Sequence, residues 1–189
     1  MIYTIRTDGS LCPLLQTVVQ DVGITVNFNP RVDIVNDVAI LKIDDYYNNL
    51  RQPDTPKSID NIVVIDCRCK CYVMYLFELK STRTSGKVKV SDIHEKFDTA
   101  IYDFISTRFS SIFLSNAYKY KRIFLYTIMK STSMSNYPDY ATFIKAQNRS
   151  RNLTYDKEMS MASKLYKIKG HICMIKFEIP PNPIMDYLF

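Results

Sequence analysis

Ser58–Ser81 reads S-I-D-N-I-V-V-I-D-C-R-C-K-C-Y-V-M-Y-L-F-E-L-K-S. Two apolar runs rich in Val, Ile, Tyr and Phe flank a polar interruption at Cys67–Cys71, a pattern that predicts a β-hairpin. With the turn centred on Cys69, antiparallel pairing sets Asp60 directly opposite Glu78. Opposed side chains have Cβ atoms roughly 4.5–5.5 Å apart, and like charges so placed are destabilising. Lys80 lies two residues beyond Glu78 and therefore on the same face. Two carboxylates and an ammonium at one hairpin end call for a purpose, and a divalent cation is the simplest neutraliser.

This pattern resembles the core of the PD-(D/E)xK nuclease superfamily, in which an Asp opens the second core strand and (D/E)-x-K closes the third. The matching residues are Asp60 and Glu78-Leu79-Lys80. Pro53-Asp54 is a literal Pro-Asp, but it sits in the Pro-punctuated loop Gln52-Pro53-Asp54-Thr55-Pro56, where strand pairing is disfavoured. The resemblance implies a restriction-endonuclease-like α/β fold, a mixed central sheet flanked by helices in the order α-β-β-β-α-β. It also implies Asp60, Glu78 and Lys80 as catalytic residues. Mg²⁺, with Mn²⁺ as substitute, would be held by Asp60, Glu78 and the backbone carbonyl of Leu79.

Composition sets the limits. A chain of 189 residues suggests one domain, with a nuclease-like core over about 10–130 and a basic extension over about 140–189. It is 47% hydrophobic with four Gly, which argues against disorder. No apolar run approaches the ~20 residues of a membrane span, and Met1–Arg6 lacks a signal-peptide layout. Five Cys, three of them alternating in one turn, favour free thiols and an intracellular protein, cytoplasmic or nuclear and not secreted. Cys67, Cys69 and Cys71 fit structural zinc poorly. The net charge of +6 suits a polyanionic partner, DNA before RNA.

Met1–Arg6 alternates weakly, as a short strand does. Leu11, Leu14, Leu15, Val18, Val19 and Val22 follow helical spacing, with Ser10 or Asp8 as N-cap and Gly23 as terminator. Ile24–Phe28 and Val38–Ile43 read as strands, and Asp44 and Asp45 follow as solvated acids or further metal ligands. Beyond the hairpin, the Ser81–Lys87 loop places Arg83 and Lys87 beside the motif, where a phosphate backbone could meet them. Ser91-Asp92 opens a helix whose stripe is Ile93, Phe97, Ala100, Ile101, Phe104 and Ile105, with His94 and Lys96 on its polar face. Lys121–Met129 is the strand expected to return parallel to the third through that crossover helix.

From Tyr140 to Lys169, Lys145, Arg149, Arg151 and further cations are set against only Asp156 and Glu158, with tyrosines interleaved. Lys145, Arg149 and Arg151 are therefore candidate nucleic-acid contacts. Lys164–Lys169 and His171–Ile179 predict a final hairpin. Ile184–Phe189 is expected to dock on the core or on a second subunit, as in a homodimer. Three functions remain open: a Mg²⁺-dependent endonuclease of restriction, defence or recombination type, a non-catalytic nucleic-acid-binding module of the same fold, and an interaction protein with a surface ion cluster.

Overall fold

A computed structural model describes residues 1–21, 23–50, 53–80, 89–129, 138–142, 144–145, 156, 159–178 and 184–187. The predicted hairpin is its centre. Strands β5 (Asn61–Asp66) and β6 (Cys71–Lys80) pair antiparallel, with Asn61 facing Phe77 and Asp66 facing Tyr72. That is the register set by a turn centred on Cys69. The turn is closed by a bond from Cys67 N–H to the Cys71 carbonyl, and Arg68 and Lys70 take positive φ to make it. Cys69 and Cys71 are joined as a disulfide, contrary to the free thiols expected, because this tight turn brings their Cα atoms to 5.2 Å. Cys12, Cys67 and Cys173 are free.

Seven strands form one mixed sheet in the order β1-β4-β5-β6-β7-β9-β8. Here β1 is Leu15–Gln16, β4 Val38–Lys42, β7 Lys119–Met129, β8 Leu165–Ile168 and β9 His171–Glu178. Strand β4 is antiparallel to β5, and β7 runs parallel to β6, as the crossover argument requires. The crossover is helix α4 (Val90–Asp98), continued by a π-helical stretch Thr99–Arg108 and a short helix α5 (Ser110–Phe113). Its predicted stripe, Ile93, Phe97, Ala100, Ile101, Phe104 and Ile105, is fully buried. The final hairpin, β8–β9, extends the sheet through parallel pairing of β9 with β7.

Alternation along each strand divides the core in two. Ile62, Val64, Met74, Leu76 and Leu125 point to the face covered by α1 (Ile2–Thr7), α4 and the residues after it. Val63, Ile65, Val73, Tyr75 and Phe77 point to the other face. There they meet the ribbon β2 (Val19–Asp21) and β3 (Ile24–Val26), and the C-terminal residues Met185 and Tyr187. The tail thus docks on its own core, with Met185 bridged to Phe28. No helix among the described residues is long and apolar enough to cross a membrane.

The N-terminal third departs from the sequence expectation. Met1–Arg6 is helical, because Ile2 and Ile5 both bury at helical spacing while Tyr3 stays exposed. The helix expected over Leu11–Val22 is not formed by its described residues, 11–21. Cys12–Leu14 makes one tight turn with Pro13 inside it, and Leu15–Gln16 and Val19–Asp21 then join two different sheets. Branched Thr17, Val18 and Val19 favour that extended path, and Leu15 pairs with Leu41 of β4. The helix expected to open the α-β-β-β-α-β order is therefore missing from the described residues. A short helix, α1 (Ile2–Thr7), stands where a strand was expected, and β4, β5, β6, α4 and β7 follow in sequence with further elements interposed.

Candidate active site on the central hairpin

Asp60 lies one step beyond the last β5–β6 pair, tied in by its N–H to the Phe77 carbonyl at 3.0 Å. That bond falls one residue short of the hairpin register, because Phe77 already faces Asn61, so the expected Asp60–Glu78 cross-strand pair does not form. Asp60 instead reaches the Leu79 N–H with its side chain and stays close enough to Glu78 for their charges to interact. Both are buried, Asp60 5% and Glu78 1% exposed. On the other side of Glu78, the parallel pairing sets Thr127 of β7 at the same level. Asp60, Glu78 and Thr127 thus stand at the same end of three central strands whose next inward positions, Ile62, Leu76 and Leu125, are apolar.

Each member is held differently. The Asp60 carboxylate accepts from the Leu79 N–H at 2.5 Å. Glu78 Oε1 takes two ammonium groups, Lys80 Nζ and Lys96 Nζ, each at 2.7 Å. Lys80 comes from the same strand and Lys96 from α4, so the helix is pinned to the sheet here. Glu78 Oε2 and the Thr127 hydroxyl are buried and make no hydrogen bond, as are Ser58 Oγ and Asn61 Oδ1 on either side of Asp60 in sequence. An unmet buried polar atom costs about 1–3 kcal/mol. Glu78 and Thr127 are paired positions on β6 and β7, so two of these unmet atoms share one place on the helix-covered face.

Burial, and then the neighbouring Glu78 charge, push the Asp60 carboxyl up to about 7. The Leu79 N–H, Lys96 and Lys42 act against that shift. Near neutral pH, Asp60 therefore stands between its two forms, ready to lose its proton to any added positive charge.

Of the sequence candidates, Asp60, Glu78, Leu79 and Lys80 come together, though through the Leu79 N–H and the Glu78–Lys80 ion pair and not through the expected direct pairing of Asp60 with Glu78. Asp54 is exposed in its loop. Asp44 pairs with Lys42 at 3.2 Å, and Asp45 is exposed at the start of helix α3 (Ile43–Asn49). Lys145 is exposed, whereas Arg83, Lys87, Arg149 and Arg151 lie outside the described residues. The sequence reading missed Lys96 and Thr127 as site residues. Thr127 carried a visible signal, a lone hydroxyl in an apolar strand. Lys96 did not, since its position on a polar helix face is where solvated lysines sit.

The donor set fits a small, hard cation. Among the described residues no three His, Cys, Asp or Glu side chains gather into a cluster. Two carboxylates and a backbone carbonyl suit Mg²⁺, which keeps several of its waters, better than a metal needing a full protein cage. Leu79 donates its N–H toward Asp60, and in an extended strand the carbonyl of the same residue turns to the same side. The chain matches no family model, no curated protein and no solved structure.

Proposed function

We propose that this chain is a metal-dependent phosphodiesterase with a restriction-endonuclease-like core, cutting nucleic acid, most naturally DNA. The observation that carries the reading is two buried carboxylates, Asp60 and Glu78, close enough for their charges to interact, with Glu78 Oε2 unpartnered and Lys80 at 2.7 Å from Oε1. Asp60, Glu78 and the Leu79 carbonyl would hold Mg²⁺, or Mn²⁺ in its place. The ion would supply charge stabilisation at the scissile phosphate and an acidified water.

The chain's own groups do the rest. Glu78, buried on an inner strand, is a fixed anchor. Lys80 is the more exposed of its two ammonium partners, at 26% against 21% for Lys96, and would orient the attacking water or meet a phosphate oxygen. Its ammonium is already paired with Glu78 Oε1, so it would act as a donor and not as a base. Lys96 fixes the second side of Glu78. Arg83, Lys87, Lys145, Arg149 and Arg151 would provide the sequence-independent grip on the phosphate backbone.

A second reading draws on the same contacts. Lys80 and Lys96 already balance the two carboxylates, which suits a non-catalytic nucleic-acid-binding module with a structural ion network. Plasmid and oligonucleotide cleavage with Mg²⁺, Mn²⁺ or EDTA separates the two. The nuclease reading expects metal-dependent nicking that Glu78→Gln and Asp60→Asn abolish. DNA binding in EDTA without any cleavage on adding metal would leave the module.

A further inference from the structure

The two halves of the sheet face opposite the helices are treated unequally. Over β5 and β6 that face is sealed by β2, β3 and the C-terminal residues. Over β8, β9 and the first half of β7, up to half-buried Phe124, no described element covers it, while Tyr126 and Ile128 further along β7 are buried. Three aliphatic side chains stand in water there, Ile172 at 72%, Leu165 at 57% and Met174 at 49% exposed. They are neighbours, since Leu165 pairs with Met174 and Ile172 pairs with Lys167. A half-buried ring, Phe124, continues the surface towards β6, stacked on Tyr75 at 5.0 Å.

The same face is cationic. Alternation, with a bulge in β7 between Tyr120 and Arg122, puts Lys119, Arg122, Lys167 and Lys176 on it, all exposed, and within these three strands only Glu178 opposes them. Lys176 lies over the rings of Phe124 and Tyr126, at 5.8 and 5.9 Å from their centroids. A second copy stacked face to face would bring these cations against their own counterparts, which disfavours self-association. Cations interleaved with apolar and aromatic groups on an open sheet suit an anionic chain that also carries flat apolar groups.

We infer that the open face of β7–β9–β8 is a binding platform for single-stranded nucleic acid. Phosphates would meet Arg122, Lys167 and Lys176, and bases would pack on Phe124, Ile172 and Met174. This surface lies on the opposite side of the sheet from Glu78, and the inference does not depend on the nuclease reading.

The test is fluorescence anisotropy of a labelled oligo-dT strand with the full chain in EDTA, which removes cleavage from the measurement. Wild type should bind with strong salt dependence. Lys167→Glu with Lys176→Glu should weaken binding by at least about tenfold and lower the salt slope by about 2. Ile172→Ser with Met174→Ser, which replaces two exposed side chains, should weaken binding with the slope unchanged. Circular dichroism checks that both variants fold. Unchanged affinity in the charge-reversed protein would overturn the inference. So would binding only to phosphatidylserine vesicles, or a dimer abolished by Ile172→Glu with no oligonucleotide bound. Binding without cleavage on later addition of Mg²⁺ would count against the nuclease reading alone.

Discussion

Two aspartates bracket strand β5, Asp60 just before its open end and Asp66 as its last residue, and both lie towards the helix-covered side of the sheet. Asp66, at the turn, is half-buried, faces Tyr72 and accepts from the Arg68 N–H at 2.7 Å. It shapes the turn. Asp60, at the open end, is buried beside Glu78, and its carboxyl is raised to about 7. Residue type and face are the same, and only the neighbouring side chains and the solvent differ. A carboxylate becomes a candidate reactive group because of what it is placed against.

The comparison can be broken first at Glu78. Glu78→Ala leaves Lys80 and Lys96 without their shared carboxylate, and loss of one partner from a buried pair costs on the order of 3 kcal/mol. Urea unfolding should show that loss, and cleavage should fall by about 10³-fold or more. Stability equal to wild type would mean that the two lysines find water as readily as Glu78.

Asp60→Asn sharpens the contrast through pH. A carboxyl raised from 3.8 to about 7 favours the protonated form in the fold. Its stabilising contribution is complete below about pH 4, declines as pH rises towards about 7, and is gone above that. Wild type should therefore lose on the order of 2–4 kcal/mol relative to Asp60→Asn between pH 4 and pH 8, read as a difference between their unfolding curves. Asp66→Asn in the same experiment should shift stability by about 1 kcal/mol or less, and leave cleavage intact. Thr127→Val is the smallest change. Exchanging a buried hydroxyl that has no partner for a methyl should stabilise the fold by about 1 kcal/mol.

The legible part of this protein was the part whose information is local. The hairpin was written in two contiguous apolar runs and one polar break, and its register followed from where the break was centred. Strand β7 and its helix were readable for the same reason, a long run and a clean stripe. Leu11–Val22 misled because its apolar residues serve two cores. Leu11 and Leu14 pack on the helix side and Val19 on the other, so their helical spacing is coincidental. Lys96 reaches Glu78 only through the packing angle of α4, which no local pattern encodes. Thr127 joins the site because β7 is parallel to β6 in one particular register. The open face of β8–β9 was likewise invisible, since the pairing of β9 with β7 had to be known before its exposed residues could be placed.

Calorimetric titration of Mg²⁺ near pH 7, in two buffers of different ionisation enthalpy, addresses the claim at Asp60 and Glu78 most directly. One saturable site is predicted, with proton release as Asp60 ionises, and both the heat and the proton release should vanish in Asp60→Asn and Glu78→Gln. Absence of binding heat in wild type, or the same heat in either variant, would contradict a metal held by these two carboxylates.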